Sequence, residues 1–351
     1  MISPKEPAMP HAEIDSRIIA APMAGGTSTP GFVQAVHRAG GLGFLAAGYK
    51  SADAVSAEIR ACRDAGVRFG VNVFVPDHAQ LNPSPDAVAR LEQYRSSLDR
   101  DAGRYGVSVP TLVLDDDDAW QSKIDLLLQH PVELVSFAFG LPDSAVVEAL
   151  RKAGSTVLAT VTSRAEAGLA ADRGFDALVV QHSSAGAHSG AFLPAAKPGG
   201  MPPSTADLIR EVAAAVDLPL IAAGAVSDAA AVRSVIAAGA VAAQVGTALL
   251  RTDESGARQL HKDALGDDRF TETIPTRAFT GRYARALVND FVRDHGDAPE
   301  GYPAIHHLTA PIRAAAAAAG DQQRLNLWAG KGWRSARTGR VAEAVGALLD
   351  G

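Results

Sequence analysis

Three observations place the chain in the α/β class and close it into a (β/α)8 barrel. Strand-like and helix-like patterns alternate along most of its length. Eight short apolar runs qualify as strands. Several of those runs are continuously apolar instead of alternating, which marks parallel strands covered on both faces. Alternation of this kind gives α/β, and eight units favour closure over an open sheet. The chain has 351 residues, about 100 more than the roughly 250 of a bare barrel, so an insertion or a cap is expected. The prediction is a TIM (β/α)8 barrel with a β3–β4 insertion and a C-terminal helical extension.

The first strand is the β-branched run at residues 17–21, ended by Pro22-Met23-Ala24-Gly25-Gly26. Residues 30–39 are helical, with Gly40-Gly41 as the stop. Residues 42–47 form the second strand, 51–65 a helix stopped by Gly66, and 69–75 the third strand. The next five strands fall at 132–139, 156–161, 177–181, 220–223 and 242–245. Two regions break the rhythm. Residues 76–131 are too long for one βα connection, and they carry a helical stretch at 85–104 and an acidic run at 115–118. The acidic run reads as a solvated loop or helix start, because adjacent carboxylates repel and hard-metal sites space their ligands. The second region is 271–351, with a helix at 312–319 stopped by Gly320-Asp321 and an aromatic loop at 327–334. Residues 1–270 are therefore assigned to the barrel and 271–351 to an extension packing on its mouth or outer wall.

The net charge of −6 is spread along the chain, which argues against a nucleic-acid surface. The single cysteine, Cys62, excludes an internal disulfide and lies in a helical pattern, so packing is its expected role. No run approaches a membrane span and the first residues have no apolar leader core, so a cytoplasmic protein is expected. The oligomeric state stays open, a homodimer included.

Barrel chemistry sits at the C-terminal ends of the strands. There the sequence offers Met23, Asn72, Gln181, His188, Gly224 and Gly246-Thr247. Glycines after the seventh and eighth strands let backbone amides approach a phosphate; the alternative is that they only make tight turns. Gly186 and Gly190 bracket His188, so its loop can bend and aim an imidazole that titrates near neutrality. His182 is close by, and position alone does not separate the two. Together these segments suggest a phosphorylated cofactor held beside a histidine. A zinc site at His306-His307 has no HExxH motif and no cysteine partner to support it.

Several motifs resemble the nitronate monooxygenase family. Ile19-Ala20-Ala21-Pro22-Met23-Ala24-Gly25-Gly26 and Ala39-Gly40-Gly41-Leu42-Gly43 are similar to its opening, and Phe69-Gly70-Val71-Asn72-Val73-Phe74-Val75 to its next motif. Residues 181–190 resemble its histidine loop. Ile221-Ala222-Ala223-Gly224 and Gln244-Val245-Gly246-Thr247-Ala248 resemble its phosphate-binding pair, and Gly281-Arg282-Tyr283-Ala284-Arg285 continues the match into the tail. The resemblance implies a barrel with non-covalent FMN. Met23 and Asn72 would line the isoalloxazine, and Gln181 and Gly186 would contact the flavin or its ribityl chain. Gly224 with Gln244, Val245, Gly246 and Thr247 would hold the phosphate, and His188 would be catalytic. The implied reaction takes an alkyl nitronate, or the nitroalkane, and O2 to a carbonyl compound and nitrite.

The loop departs from the family at His182 and Ser184, where Gly and Glu are usual, and at Ala187 and Ser189, where Gly and often Arg stand. Losing an acid and a base beside the histidine can change its pKa and its substrate. The alternatives are an NAD(P)H-dependent FMN reductase of the enoyl-ACP or quinone type, a flavin-free phosphate-binding isomerase or aldolase, and a flavin-binding barrel without activity. No strand ends in lysine, which counts against a Schiff-base aldolase. Tyr302 or His306 is expected to reach over the site from the tail.

Overall fold

The computed structural model describes residues 14–193 and 202–350. Eight parallel strands form a closed barrel: β1 (Ile18–Ala20), β2 (Leu42–Ala46), β3 (Phe69–Phe74), β4 (Leu134–Ala138), β5 (Thr156–Val161), β6 (Ala177–Gln181), β8 (Leu220–Ala223) and β9 (Ala242–Val245), while β7 (Ala187–His188) lies outside it. β9 pairs back onto β1, with Ile19 opposite Gln244. The expected fold is the observed one. Alternate residues split between two apolar layers. Ile19, Phe44, Leu158, Val179 and Ile221 fill the barrel interior. Their neighbours, such as Ile18, Leu45, Val157 and Val180, pack outward against the helices. This double burial is why the runs read as continuously apolar.

The helices start where side-chain caps permit. Thr29, Ser51, Ser163, Ser204 and Asp228 each accept a hydrogen bond from an N–H in the first turn of the helix that follows. Helix Val341–Leu349 packs on helix Pro30–Arg38 and on β1, and Val341, Ala344, Val345 and Leu348 join the outer core. This last helix of the C-terminal extension thus packs on the outer wall of the barrel. Cys62 is buried in the same layer as a free thiol, in keeping with a packing role.

Helices Pro85–Ser97 and Asp99–Arg104 of the insertion share a second core with the tail. Leu91, Tyr94 and Leu98 pack with Phe279, Phe291, Ile305 and Leu308. A buried polar network spans the same interface. Asp101 accepts from Arg324 Nε at 2.6 Å and pairs with His295 Nε2 at 3.0 Å, and Arg324 also reaches Asp294 at 2.9 Å. Burial alone would raise the Asp101 pKa, but the hydrogen bonds from His295 and Arg324 outweigh it and hold the carboxyl below its ordinary value.

The acidic run is only partly solvated. Asp115 and Asp117 are exposed. Asp116 meets His307 Nε2 at 2.7 Å, and Asp118 accepts from the Tyr49 N–H and pairs with buried Lys123, both at 2.7 Å. The run pins the insertion to the barrel and the tail. Among the described residues no cluster could hold a metal ion, and no helix is long and apolar enough to cross a membrane.

The tail adds β10 (Thr273–Thr276) and β11 (Ala284–Leu287), and β11 pairs antiparallel with β7 (Ala187–His188). The histidine loop is therefore the edge strand of a small sheet whose other strands come from the extension.

Candidate active site

A cavity of about 540 Å³ opens at the C-terminal end of the barrel. That lies within the roughly 300–1,000 Å³ of small-molecule sites. Met23, Asn72, Gln181, Gly186, His188, Gly224, Gln244, Gly246 and Thr247 all line it. Val245 does not: its side chain belongs to the outer core, as strand alternation requires for the neighbour of an inward Gln244. Among the described residues no Asp, Glu or Lys lines the cavity, whereas Arg258, Arg313, His188, His261 and His306 do. The cavity suits an anion.

One end is built from backbone. Gly224 has φ +114°, and a Cβ there would sit 3.0 Å from the His182 carbonyl oxygen and 3.1 Å from Ser184 Oγ. At Gly186 a Cβ would meet Gly330 N at 2.6 Å and Ala329 C at 2.8 Å, and backbone atoms cannot move aside. Gly246 is different, because its nearest neighbour would be Ala21 Cβ at 3.5 Å. Only Gly224 of the pair is sterically required. Among the described residues the N–H groups of Gly224, Ala225, Gly246 and Thr247 make no turn or loop hydrogen bond to a backbone carbonyl. Thr247 also opens a 3-10 turn, Thr247–Leu249, where leading amides lack internal partners. Four donors and no competing carboxylate fit a phosphate.

The other end is built from side chains. Gln181 braces the histidine loop with both ends of its amide: Nε2 donates to the His188 carbonyl at 3.0 Å, and Oε1 accepts from Gly190 N at 2.7 Å. Buried Glu166 holds the loop's exit, accepting from Phe192 N at 2.7 Å and Leu193 N at 2.9 Å. Asn72 Nδ2 donates to Ser136 Oγ at 2.9 Å. His188 Nε2 lies 2.9 Å from Thr280 Oγ1, and the Thr280 hydroxyl points at the Arg282 carbonyl at 3.3 Å. If that hydroxyl donates to the carbonyl, Nε2 carries the imidazole proton and the Nδ1 lone pair is free. The rings of Trp328, Phe139 and Tyr302 stand 5.4, 5.6 and 5.8 Å from the imidazole. Burial, then the charges of Arg282 and Arg313, push the His188 pKa down to about 3. The imidazole is neutral at working pH.

The structure also separates the two histidines of the loop. His182 is buried away from the cavity, 2.7 Å from Ser184 Oγ and 3.0 Å from the Pro202 carbonyl. Two of the four residues at unusual loop positions, His182 and Ser184, thus bond to each other. From the tail, His306 lines the cavity and stacks on Tyr49 at 4.1 Å, as expected of that segment. Sequence reasoning missed Thr280, Phe139, Trp328 and Arg313. Only Arg313 left a signal: His306, Ala310, Arg313 and Ala314 follow helical spacing and share one face of helix Ala304–Ala318.

The family model for nitronate monooxygenase matches residues 9–351. A probable nitronate monooxygenase of Staphylococcus aureus (strain JH9) is 36% identical over 334 residues, covering 93% of this chain and 91% of the relative. A nitroalkane oxidase from Streptomyces ansochromogenes superposes with a TM-score of 0.90 at 45% identity, covering 95% of each chain. FabK from Thermotoga maritima shares the fold, with a TM-score of 0.72 at 23% identity over 96% of this chain and 92% of that one. With the family model spanning nearly the whole chain, and two relatives of this likeness, the chain belongs to the nitronate monooxygenase family and is an oxidoreductase.

Proposed function

We propose that this chain binds FMN and uses O2 to oxidise alkyl nitronates, and the nitroalkanes from which they derive, to carbonyl compounds and nitrite. One observation carries the reading: a single cavity, with no carboxylate in its lining among the described residues, joins a glycine-built amide cradle at one end to a neutral histidine at the other. The name of the Streptomyces relative points to the same substrate class.

The residues present fit FMN. Gly224, Ala225, Gly246 and Thr247 would take the phosphate through their amides, and Gly186 lets the Ala329–Gly330 backbone close in beside them. Met23, Asn72 and Gln181 line the space between the cradle and His188. When bound, the flavin supplies electron transfer from substrate to O2. The protein does the rest. Neutral His188 presents its free Nδ1 lone pair, which accepts the α-proton of a nitroalkane. Thr280 holds the ring in position, and the Trp328, Phe139 and Tyr302 rings pack around it. We further infer that the insertion and the extension act as one cap, since they share a core and a buried ion network.

The test is the visible spectrum of the purified protein, then nitronate added with and without air. A flavin spectrum, bleached by nitronate without air and yielding nitrite in air, supports the reading. A flavin bleached by NAD(P)H and indifferent to nitronate makes the protein a reductase. No flavin, even after FMN is added, overturns the cofactor assignment.

A further inference from the structure

Among the described residues Arg313 has no counter-ion. Its residue is 9% exposed, and among the described residues no carboxylate forms an ion pair with it. Its Nε donates to Thr309 Oγ1 at 3.1 Å, and one terminal nitrogen donates to the His306 carbonyl at 2.9 Å. The Thr309 hydroxyl is itself fixed on the Phe279 carbonyl at 2.6 Å. The guanidinium is thus held on one side and presented to the cavity it lines together with His188. Burial lowers its pKa to about 10, so it stays charged at neutral pH. A buried, fixed and unpaired charge costs stability in the free protein. Arg258, the other cation at the cavity, is exposed and solvated.

We propose that Arg313 is the specificity residue that binds the ionised, planar two-oxygen head of the nitronate and favours it over the neutral nitroalkane. This rests on the function proposed above. The guanidinium fork matches two coplanar oxygens sharing a negative charge, as it matches a carboxylate. A neutral nitro group has the same shape without the net charge, so it gains less. His188, held neutral, cannot supply the positive charge itself. The division of labour is that Arg313 neutralises the head while His188 handles the proton.

The test compares wild-type holoenzyme with Arg313→Met and Arg313→Lys, using ethyl nitronate, nitroethane and, as an inorganic two-oxygen anion, nitrite. Expected for Arg313→Met are a KM for ethyl nitronate raised at least ~10-fold, a KM for neutral nitroethane changed by less than ~3-fold while its kcat falls because charge develops on its oxygens, and undiminished flavin content. Arg313→Lys should fall between, because it keeps the charge and loses the fork. Nitrite should raise the melting temperature of wild-type holoenzyme and leave that of Arg313→Met unmoved, a readout independent of turnover. Should Arg313→Met not fold, Arg313→Lys and the wild-type nitrite shift carry the test alone. An unchanged nitronate KM in the variants overturns the proposal, as does a nitrite shift that survives Arg313→Met. Loss of flavin from Arg313→Met overturns it too, since the residue would then serve the cofactor. If wild type itself ignores nitronate, the function reading fails instead.

Discussion

The two ends of the cavity are made of different material. The end at β8 and β9 is backbone: a glycine at φ +114°, a second at Gly186 with no room for a side chain, and amides without turn partners. The end at His188 is side chains brought from the turn after β4, the histidine loop, the β10–β11 connection and helix Ala304–Ala318, most of them part of the cap or braced by it. Under the proposed function, binding would be set by barrel turns and selectivity by the cap. Altering one end should leave the other largely intact, and each prediction below tries to break that separation.

The largest effect is expected at the cradle. Gly224→Val adds both a strained φ and a clash with the His182 carbonyl, so the purified protein should contain little flavin and release no nitrite. Gly246→Ala, with 3.5 Å of clearance, should retain most of its flavin. Equal retention by both variants would mean that the turn geometry does not govern binding.

Next comes the cap. Asp101→Ala leaves Arg324 buried without its nearest carboxylate and should cost about 3–5 kcal/mol. The loss should appear as faster hydrogen exchange in helices Pro85–Ser97 and Ala304–Ala318, with β2 and β3 still protected. Uniform acceleration through barrel and cap would show that the two unfold together.

Acid should weaken the same end. Burial lowers the pKa of His261 to about 4, of His188 to about 3 and of His306 to about 2. Each stays neutral in the folded protein while its unfolded form binds a proton below about pH 6.5. Stability is therefore complete above that value and falls as pH drops toward those lowered values. The depressed Asp101 pKa acts in the same direction, its contribution being lost as pH falls through the folded value. The urea midpoint should drop steadily from pH 7 to pH 5. A flat midpoint over that range would contradict neutral burial.

The smallest effect is expected at Thr280→Val. The variant loses one hydrogen bond to His188, worth about 0.5–1.5 kcal/mol, so kcat should fall about 2- to 10-fold with flavin content unchanged. A fall as deep as that of a His188 variant would make Thr280 more than a positioning residue.

The same contrast explains what the sequence made legible. The barrel could be read because each strand is local and its double burial writes a continuous apolar run, and the cradle because Gly224 and Gly246 stand at strand ends. The cap could not. The helix expected at 312–319 begins at Ala304, where His306, His307 and Pro311 interrupt the apolar pattern. The run 115–118 looked solvated because Tyr49 and His307, which hydrogen-bond to it, lie far away in the chain. Phe139, at φ +76°, and Thr280 reach His188 only through tertiary packing, which leaves no periodicity to find. The glycines around His188 suggested a freely bent loop. Pairing with β11 makes it a strand instead, and no local pattern announces a partner about a hundred residues away.

The separation of binding from chemistry is tested most directly by His188→Asn, with bound flavin and nitrite release measured on the same preparation. The account predicts flavin content equal to wild type and turnover lowered about 10²- to 10⁴-fold. Wild-type turnover with flavin bound, or flavin lost together with activity, would contradict it.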